Sequence, residues 1–371
     1  MHPEVDNLRT PPLRRCKPTD GIFTACPVAR TLLKEKAMRI TTMVLVCSSI
    51  AACMPGGELR HNGTNEPDAA VTSTPACTSP TSVSGDLSIS GDFSSVPTTC
   101  WTLSGKLTLT GSAVSSLAKL GPLQSVGALE IGNTMLTKID AAQAIAVAGD
   151  VSIHDNEALA DVSSLAPATT LNDVTVENNA ALADLAKLST VTLITGAVSI
   201  QNNAKLATID LSQVTRIEGA FTIASNTAAT TVNLAALQSV GPLTIKNNGA
   251  LTSLGSFAAL QFVHGDLVID SNPVLAKLSD AMTSTIQAVD ASITITNNPK
   301  LADLGELSHA GLALSINITD NAQLGYCYAR EVGCCVYHQG TAQTHNDLNQ
   351  NCSSHSWCYD QNGGCYAYTN N

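Results

Sequence analysis

One hexapeptide constrains this chain more than anything else in it. Val198-Ser-Ile-Gln-Asn-Asn203 returns as Val151-Ser-Ile-His-Asp-Asn156, Val174-Thr-Val-Glu-Asn-Asn179, Phe221-Thr-Ile-Ala-Ser-Asn226 and Leu243-Thr-Ile-Lys-Asn-Asn248. Leu267-Val-Ile-Asp-Ser-Asn272, Ile293-Thr-Ile-Thr-Asn-Asn298 and Ile316-Asn-Ile-Thr-Asp-Asn321 continue the series, and looser copies begin at Leu87, Leu107 and Leu129. The first apolar residues stand at 87, 107, 129, 151, 174, 198, 221, 243, 267, 293 and 316, so the intervals run from 20 to 26 residues. A short strand repeated at that period marks a solenoid, in which each unit buries its apolar face only against its neighbours. The expected fold is therefore mainly β: a right-handed parallel β-helix or leucine-rich-like solenoid of about eleven coils.

Within each copy the alternation has period two. Val198 and Ile200 are expected to point inward, and Ser199 outward. The final Asn recurs at one phase, at Asn156, Asn179, Asn203, Asn226, Asn248, Asn272, Asn298 and Asn321. Asn tolerates left-handed backbone and carries both donor and acceptor. Stacked in register, these side chains are expected to bond the backbone of adjacent coils at a corner that would otherwise be unsatisfied. Between strands, Leu182, Leu185, Leu188, Val191 and Ile194 recur at about every third residue, with Gly196 before the next strand. That spacing fits a winding return path of extended and 3₁₀ pieces rather than a regular helix. Aromatic residues make up 4% of the chain, too few for a wide core but enough for a narrow one filled by small aliphatic side chains.

The segments outside the repeats read differently. Residues 1–37 have no periodicity and are set aside as an upstream or mis-assigned extension, with Met38 as the expected start. The basic flank Lys34, Lys36 and Arg39 precedes an apolar run from Ile40 to Ala52. That run is too short to span a bilayer of about 30 Å but suits an export signal over 38–52. Ile50-Ala-Ala-Cys53 resembles the bacterial lipobox, which implies cleavage before Cys53 and its acylation, and so a membrane partner through a lipid anchor. Residues 53–76, rich in Gly, Pro, Asn, Thr and Ser, read as a flexible tether. The solenoid is expected over 77–325. Cys77 and Cys100 lie 23 residues apart, one period. Equivalent places on adjacent coils are about 5 Å apart, so a bridge is expected there, with Trp101 covering the first coil. Residues 326–371 carry Cys327, Cys334, Cys335, Cys352, Cys358 and Cys365. An even count in an exported chain argues for a disulfide-stapled cap, with connectivity open. A metal site using His338, His345 or His355 is the alternative, and it is disfavoured by the absence of a regular CxxC pair.

Units such as Gly265-Asp-Leu-Val-Ile-Asp-Ser-Asn-Pro-Val-Leu-Ala-Lys-Leu278 resemble the receptor L domain, the leucine-rich-like β-helix of the insulin and epidermal growth factor receptors. The resemblance covers roughly residues 83–325. It implies a fold and no ligand, since the second L domain, the furin-like region and the kinase of those receptors have no counterpart here. With the lipobox it is similar to surface lipoproteins of Gram-negative bacteria. Met54, rather than Asp, follows Cys53, which by the same analogy implies the outer membrane or cell surface.

Function is less constrained. The formal charge is −11; without a Lys/Arg cluster, nucleic acid is not an expected partner. No cofactor and no metal are expected, and neither Gly-x-Ser-x-Gly, His-Glu-x-x-His nor a phosphate loop is present. A β-helix polysaccharide-active enzyme would need convergent carboxylates with Arg or Lys. The outward column after the second inward residue reads Ser90, Thr110, Gly132, His154, Glu177, Gln201, Ala224, Lys246, Asp270, Thr296 and Thr319. Only Asp150, Asp173, His154 and Glu177 form a dense group, read as a solvated acidic face, with a weak Ca²⁺ site or a contact for a basic partner as alternatives. The interrupted Thr column argues against ice binding, and the scarcity of aromatics in the coils against a carbohydrate face. The expectation is a non-enzymatic surface-recognition module. It uses His154, Glu177, Gln201, Lys246 and Asp270 to contact an unknown protein or envelope ligand. A passive structural or adhesive envelope protein is the alternative.

Overall fold

A computed structural model describes residues 77, 79–255, 259–278, 286–305, 307, 312–325, 337–338 and 342–345. Cys53 and the six tail cysteines (Cys327, Cys334, Cys335, Cys352, Cys358 and Cys365) lie outside the described residues, as do the signal and most of the tether. The side chains of His338, His345 and His355 lie outside them too.

The eleven copies are eleven parallel strands of one continuous ladder. Leu87 pairs with Leu107, Leu107 with Leu129, Leu129 with Val151, and Val151 with Val174. Val174 then pairs with Val198, Val198 with Phe221, Phe221 with Leu243, and Leu243 with Leu267. Leu267 pairs with Ile293, and Ile293 with Ile316. Ten pairings among eleven strands make ten turns. The register is set by the buried face: a slip of one residue would turn every Val and Ile toward solvent. The inward pair Val198 and Ile200 is 0–1% exposed, whereas Ser199 between them is half-buried. Ala342–His345 adds a further rung by pairing with Ser315–Thr319, inside the segment expected to be a separate cap.

The two earliest long strands, Trp101–Thr110 and Leu123–Gly132, run unbroken through a corner that later coils divide. From there on, a second, narrower sheet stacks two-residue strands: Thr170–Leu171, Leu193–Ile194, Arg216–Ile217, Ser239–Val240, Phe262–Val263 and Ala288–Val289. Between this corner sheet and the main strand sits a glycine column. A Cβ on Gly219 would lie 2.6 Å from the Gly196 backbone, and one on Gly241 would collide with the Gly219 carbonyl oxygen. Only glycine lets the corners of adjacent coils approach so closely. The return arm is extended, as its spacing predicts, with 3₁₀ turns at Ala118–Leu120 and Ala186–Thr190. Leu182, Leu185, Leu188, Val191 and Ile194 are all buried.

The asparagine column is a continuous hydrogen-bonded ladder. All eight Asn side chains are fully buried. In Asn203, Nδ2 donates to the Val176 carbonyl at 2.8 Å, to its own Gln201 carbonyl at 3.0 Å and to Asn226 Oδ1 at 3.2 Å. Its Oδ1 accepts from Asn179 N–H at 3.1 Å and from Asn179 Nδ2 at 3.2 Å. The pattern repeats rung by rung to Asn321, whose Nδ2 reaches the Ile295 carbonyl. One expectation is corrected here: the ladder Asn does not carry the left-handed backbone. That conformation falls on the preceding residue, with φ between 55° and 61° at Asp155, Asn178, Asn202, Ser225, Asn247, Ser271, Asn297 and Asp320. The residue at positive φ turns the corner, and the next one drops its amide into the core. Thr134 occupies the ladder position one coil before Asn156, donating from N–H and Oγ1 to Asn156 Oδ1.

The Cys77–Cys100 disulfide is present, with Cα atoms 5.9 Å apart. Trp101 pairs with Thr81 of the first coil. It is fully buried within the second coil, and its Nε1 donates to the Leu120 carbonyl at 2.9 Å.

Candidate functional site

The ladder register brings the five candidate residues into one outward row. His154 stands beside Glu177, Glu177 beside Gln201, Gln201 beside Ala224, Ala224 beside Lys246, and Lys246 beside Asp270. Successive rungs are about 4.8 Å apart. Each side chain leaves a strand whose inward neighbours are locked in the core, so the row is held rigidly from below.

The row falls into two clusters. In the first, Lys106 Nζ meets Glu130 Oε2 at 2.6 Å, and His154 Nε2 lies 3.6 Å from Glu130 Oε1. His154 Nδ1 is 2.8 Å from Asp155 Oδ2, and Asp155 Oδ1 accepts from Asn178 Nδ2 at 2.8 Å. The His154 ring lies over Gly132 and fills the space a Cβ there would need. The bond from Lys106 holds the Glu130 carboxyl below its ordinary value, and Glu130 raises Lys106 in turn. The bonds from His154 and Asn178 lower Asp155. On the next rungs, Glu177 Oε1 accepts from Ser199 Oγ and, at 3.2 Å, from Gln201 Nε2.

The second cluster is centred on Asp270. Burial opposes its ionisation, but hydrogen bonds from Thr296, Asn297 and Ser271 and the charge of Lys246 outweigh burial, so its carboxyl lies below the usual range. Thr296 Oγ1 donates at 2.6 Å and Asn297 Nδ2 at 2.9 Å, both to Oδ1, while Ser271 Oγ donates to Oδ2 at 3.0 Å. Lys246 is exposed and in no ion pair among the described residues.

The acidic group, for which weak Ca²⁺ binding is one alternative to a solvated face, is tied up in contacts between coils. Asp150 Oδ1 accepts from the Asp173 N–H at 3.3 Å, and Asp173 Oδ1 accepts from the Ala197 N–H at 2.6 Å. Asp86 and Asp266 do the same for Lys106 and Ser292. At these four places an Asp fastens its coil to the next by a corner amide. Among the described residues, no group of three or more His, Cys, Asp or Glu could hold a metal ion. Glu130 and Lys106 are polar partners of the row that its phase alone does not reveal. Glu130 is the one charged residue in the mostly Ser/Thr column between the two inward residues of the eleven copies, and that charge is the available signal. Among the described residues no helix is long and apolar enough to cross a membrane. No protein-family model, curated protein or solved structure matches the chain.

Proposed function

We propose that this chain is a non-enzymatic recognition lipoprotein of a bacterial cell surface, held to the membrane by an acylated Cys53. It contacts a protein or envelope ligand through the main strand face. The observation that supports the reading is the row itself. Five polar or charged side chains of different chemistry stand on nearby rungs of a scaffold whose inward columns are aliphatic and whose corner column is asparagine. A stack held by buried amides and aliphatic residues presents such a row without reorganising on binding, which lowers the ordering cost of association. Recognition solenoids use their repeated faces in this way. The charges alternate rather than accumulate, with Glu177, Lys246 and Asp270 in one line, which favours register-specific contact over general attraction.

The test is binding of the purified chain to isolated envelope membranes, comparing wild type with the double variant Glu177→Lys/Lys246→Glu. Both residues are on the outward face, and Lys246 makes no ion pair to lose among the described residues. Saturable binding weakened by about tenfold in the variant is expected. Unchanged binding, with an unchanged thermal unfolding curve, rules the row out as the contact surface.

A further inference from the structure

The corner sheet carries a second surface, distinct in chemistry from the main strand face. On its outward row Arg216, Ser239, Phe262 and Ala288 stand in register. Phe262 is the one aromatic of the four, and it is only half-buried although it lies on a surface strand. Its neighbours along the stack, Ser239 and Ala288, are too short to cover a phenyl ring. Two residues on, His264 runs nearly parallel to it, with ring centroids 6.0 Å apart and planes at 9°. His264 Nδ1 lies 2.8 Å from Asp290 Oδ2, which fixes the imidazole and leaves Asp290 Oδ1 for another donor on a half-exposed carboxylate.

Beside this ring runs a column of amides. Gln238, Gln261 and Gln287 follow one another on three rungs, with Gln261 N–H donating to the Gln238 carbonyl and Gln287 N–H to the Gln261 carbonyl, at 2.8 Å and 2.7 Å. Their backbones are thus paired, but their side-chain amides have no partner among the described residues. Three planar donor–acceptor groups on rungs about 4.8 Å apart therefore lie at the surface, in the column that precedes the aromatic ring in sequence.

We propose that this corner strip is a saccharide-binding site. It would take a short, uncharged oligosaccharide lying along the stack. The ring receives the apolar C–H face of a pyranose, as aromatic side chains do for ligands with one apolar and one polar side. Gln238, Gln261 and Gln287 each offer a carbonyl and an NH₂ to vicinal hydroxyls, and Asp290 accepts one more. A small number of placed polar groups around an aromatic floor is the composition of a ligand site. A protein interface would instead centre on a cluster of large apolar anchors, and the neighbours of Phe262 here are small or polar. The scarcity of aromatics across the coils argues against an extended carbohydrate face; one half-buried ring, with surface amides in the adjoining column, is sufficient for a small one. The proposal is independent of the main strand face.

Binding of the full chain to a panel of soluble oligosaccharides, among them cellotetraose, chitotetraose and maltotetraose, tests it by titration calorimetry. Binding to at least one is expected, weakened by about tenfold in Phe262→Ala and by several-fold in Gln261→Ala. Phe262→Tyr retains it, since the ring is kept, which separates loss of the platform from loss of folding. Lys246→Glu, on the other face, leaves it unchanged. The proposal is overturned if no oligosaccharide of the panel binds at millimolar concentration. It is equally overturned if the affinity survives Phe262→Ala and Gln261→Ala, or if it falls with Lys246→Glu instead.

Discussion

At the scale of single residues, the two positions that end each strand do different work, and they fail differently when replaced. Asn203 lies in the core with both ends of its amide engaged. Asn203→Ala removes an acceptor used by Asn179 and donors used by the Val176 and Gln201 carbonyls, leaving several buried groups unpaired. Each such group costs about 1–3 kcal/mol, so a loss of about 3 kcal/mol or more is expected. Asn202, one residue earlier, holds φ at 56°. Asn202→Gly suits that conformation and is expected to change stability by less than about 1 kcal/mol. Denaturant unfolding of the two variants measures the contrast. Equal losses would mean that the corner, not the buried amide, sets the stability of the turn.

At the scale of the strand, the outward row couples stability to pH. The folded Asp270 carboxyl ionises more readily than its ordinary value of 3.8. Ionisation therefore favours the folded state: the contribution is complete above that value and is lost as pH falls through the folded pKa. Glu130, lowered by Lys106, acts in the same direction. The unfolding midpoint is expected to drop as pH falls below the ordinary values of 4.5 for Glu130 and 3.8 for Asp270 toward their lowered folded ones, and to drop less in Asp270→Asn. An identical decline in that variant would remove Asp270 from the cause. The strands themselves are legible in the sequence, because period two and a 20–26-residue interval leave one register that buries both inward aliphatic residues of nearly every copy. The corner sheet is not. A two-residue strand such as Arg216–Ile217 carries no alternation to read, and its pairing is decided by the glycine beside it. The candidate row is legible for the same reason as the strands, since equal phase means equal place. Its hydrogen-bonded partners are less so: Lys106 and Asp155 reach the row from other columns, and only side-chain direction brings them together.

At the scale of the whole molecule, a stack in which each coil touches only its neighbours should respond locally to a local lesion. The Cys77–Cys100 bridge closes a 23-residue separation, and removing a bridge over such a loop costs about 3 kcal/mol in a globular domain. Here the bridge joins only the first two coils. The coils from Val151 onward keep their own ladder, glycine corners and Asn amides. Cys77→Ser/Cys100→Ser is therefore expected to release the N-terminal coils while the middle of the stack stays closed, as nearest-neighbour cooperativity requires. Amide hydrogen exchange distinguishes the cases. Protection should fall across Thr81–Val83 and Leu87–Ile89, and should hold from Trp101–Thr110 onward, at Val198–Gln201 and Phe221–Ala224 among others. A uniform fall along the chain would mean that the solenoid unfolds as one unit. The fully buried Trp101, bonded to the Leu120 carbonyl of the next coil, marks where the fraying should stop. Its indole and that bond tie the second coil to the third without help from the disulfide, so Trp101 should remain protected from solvent quenchers in the double variant. Quenching of its fluorescence in the variant would place the boundary further along the stack and make the bridge a clamp on more than the end.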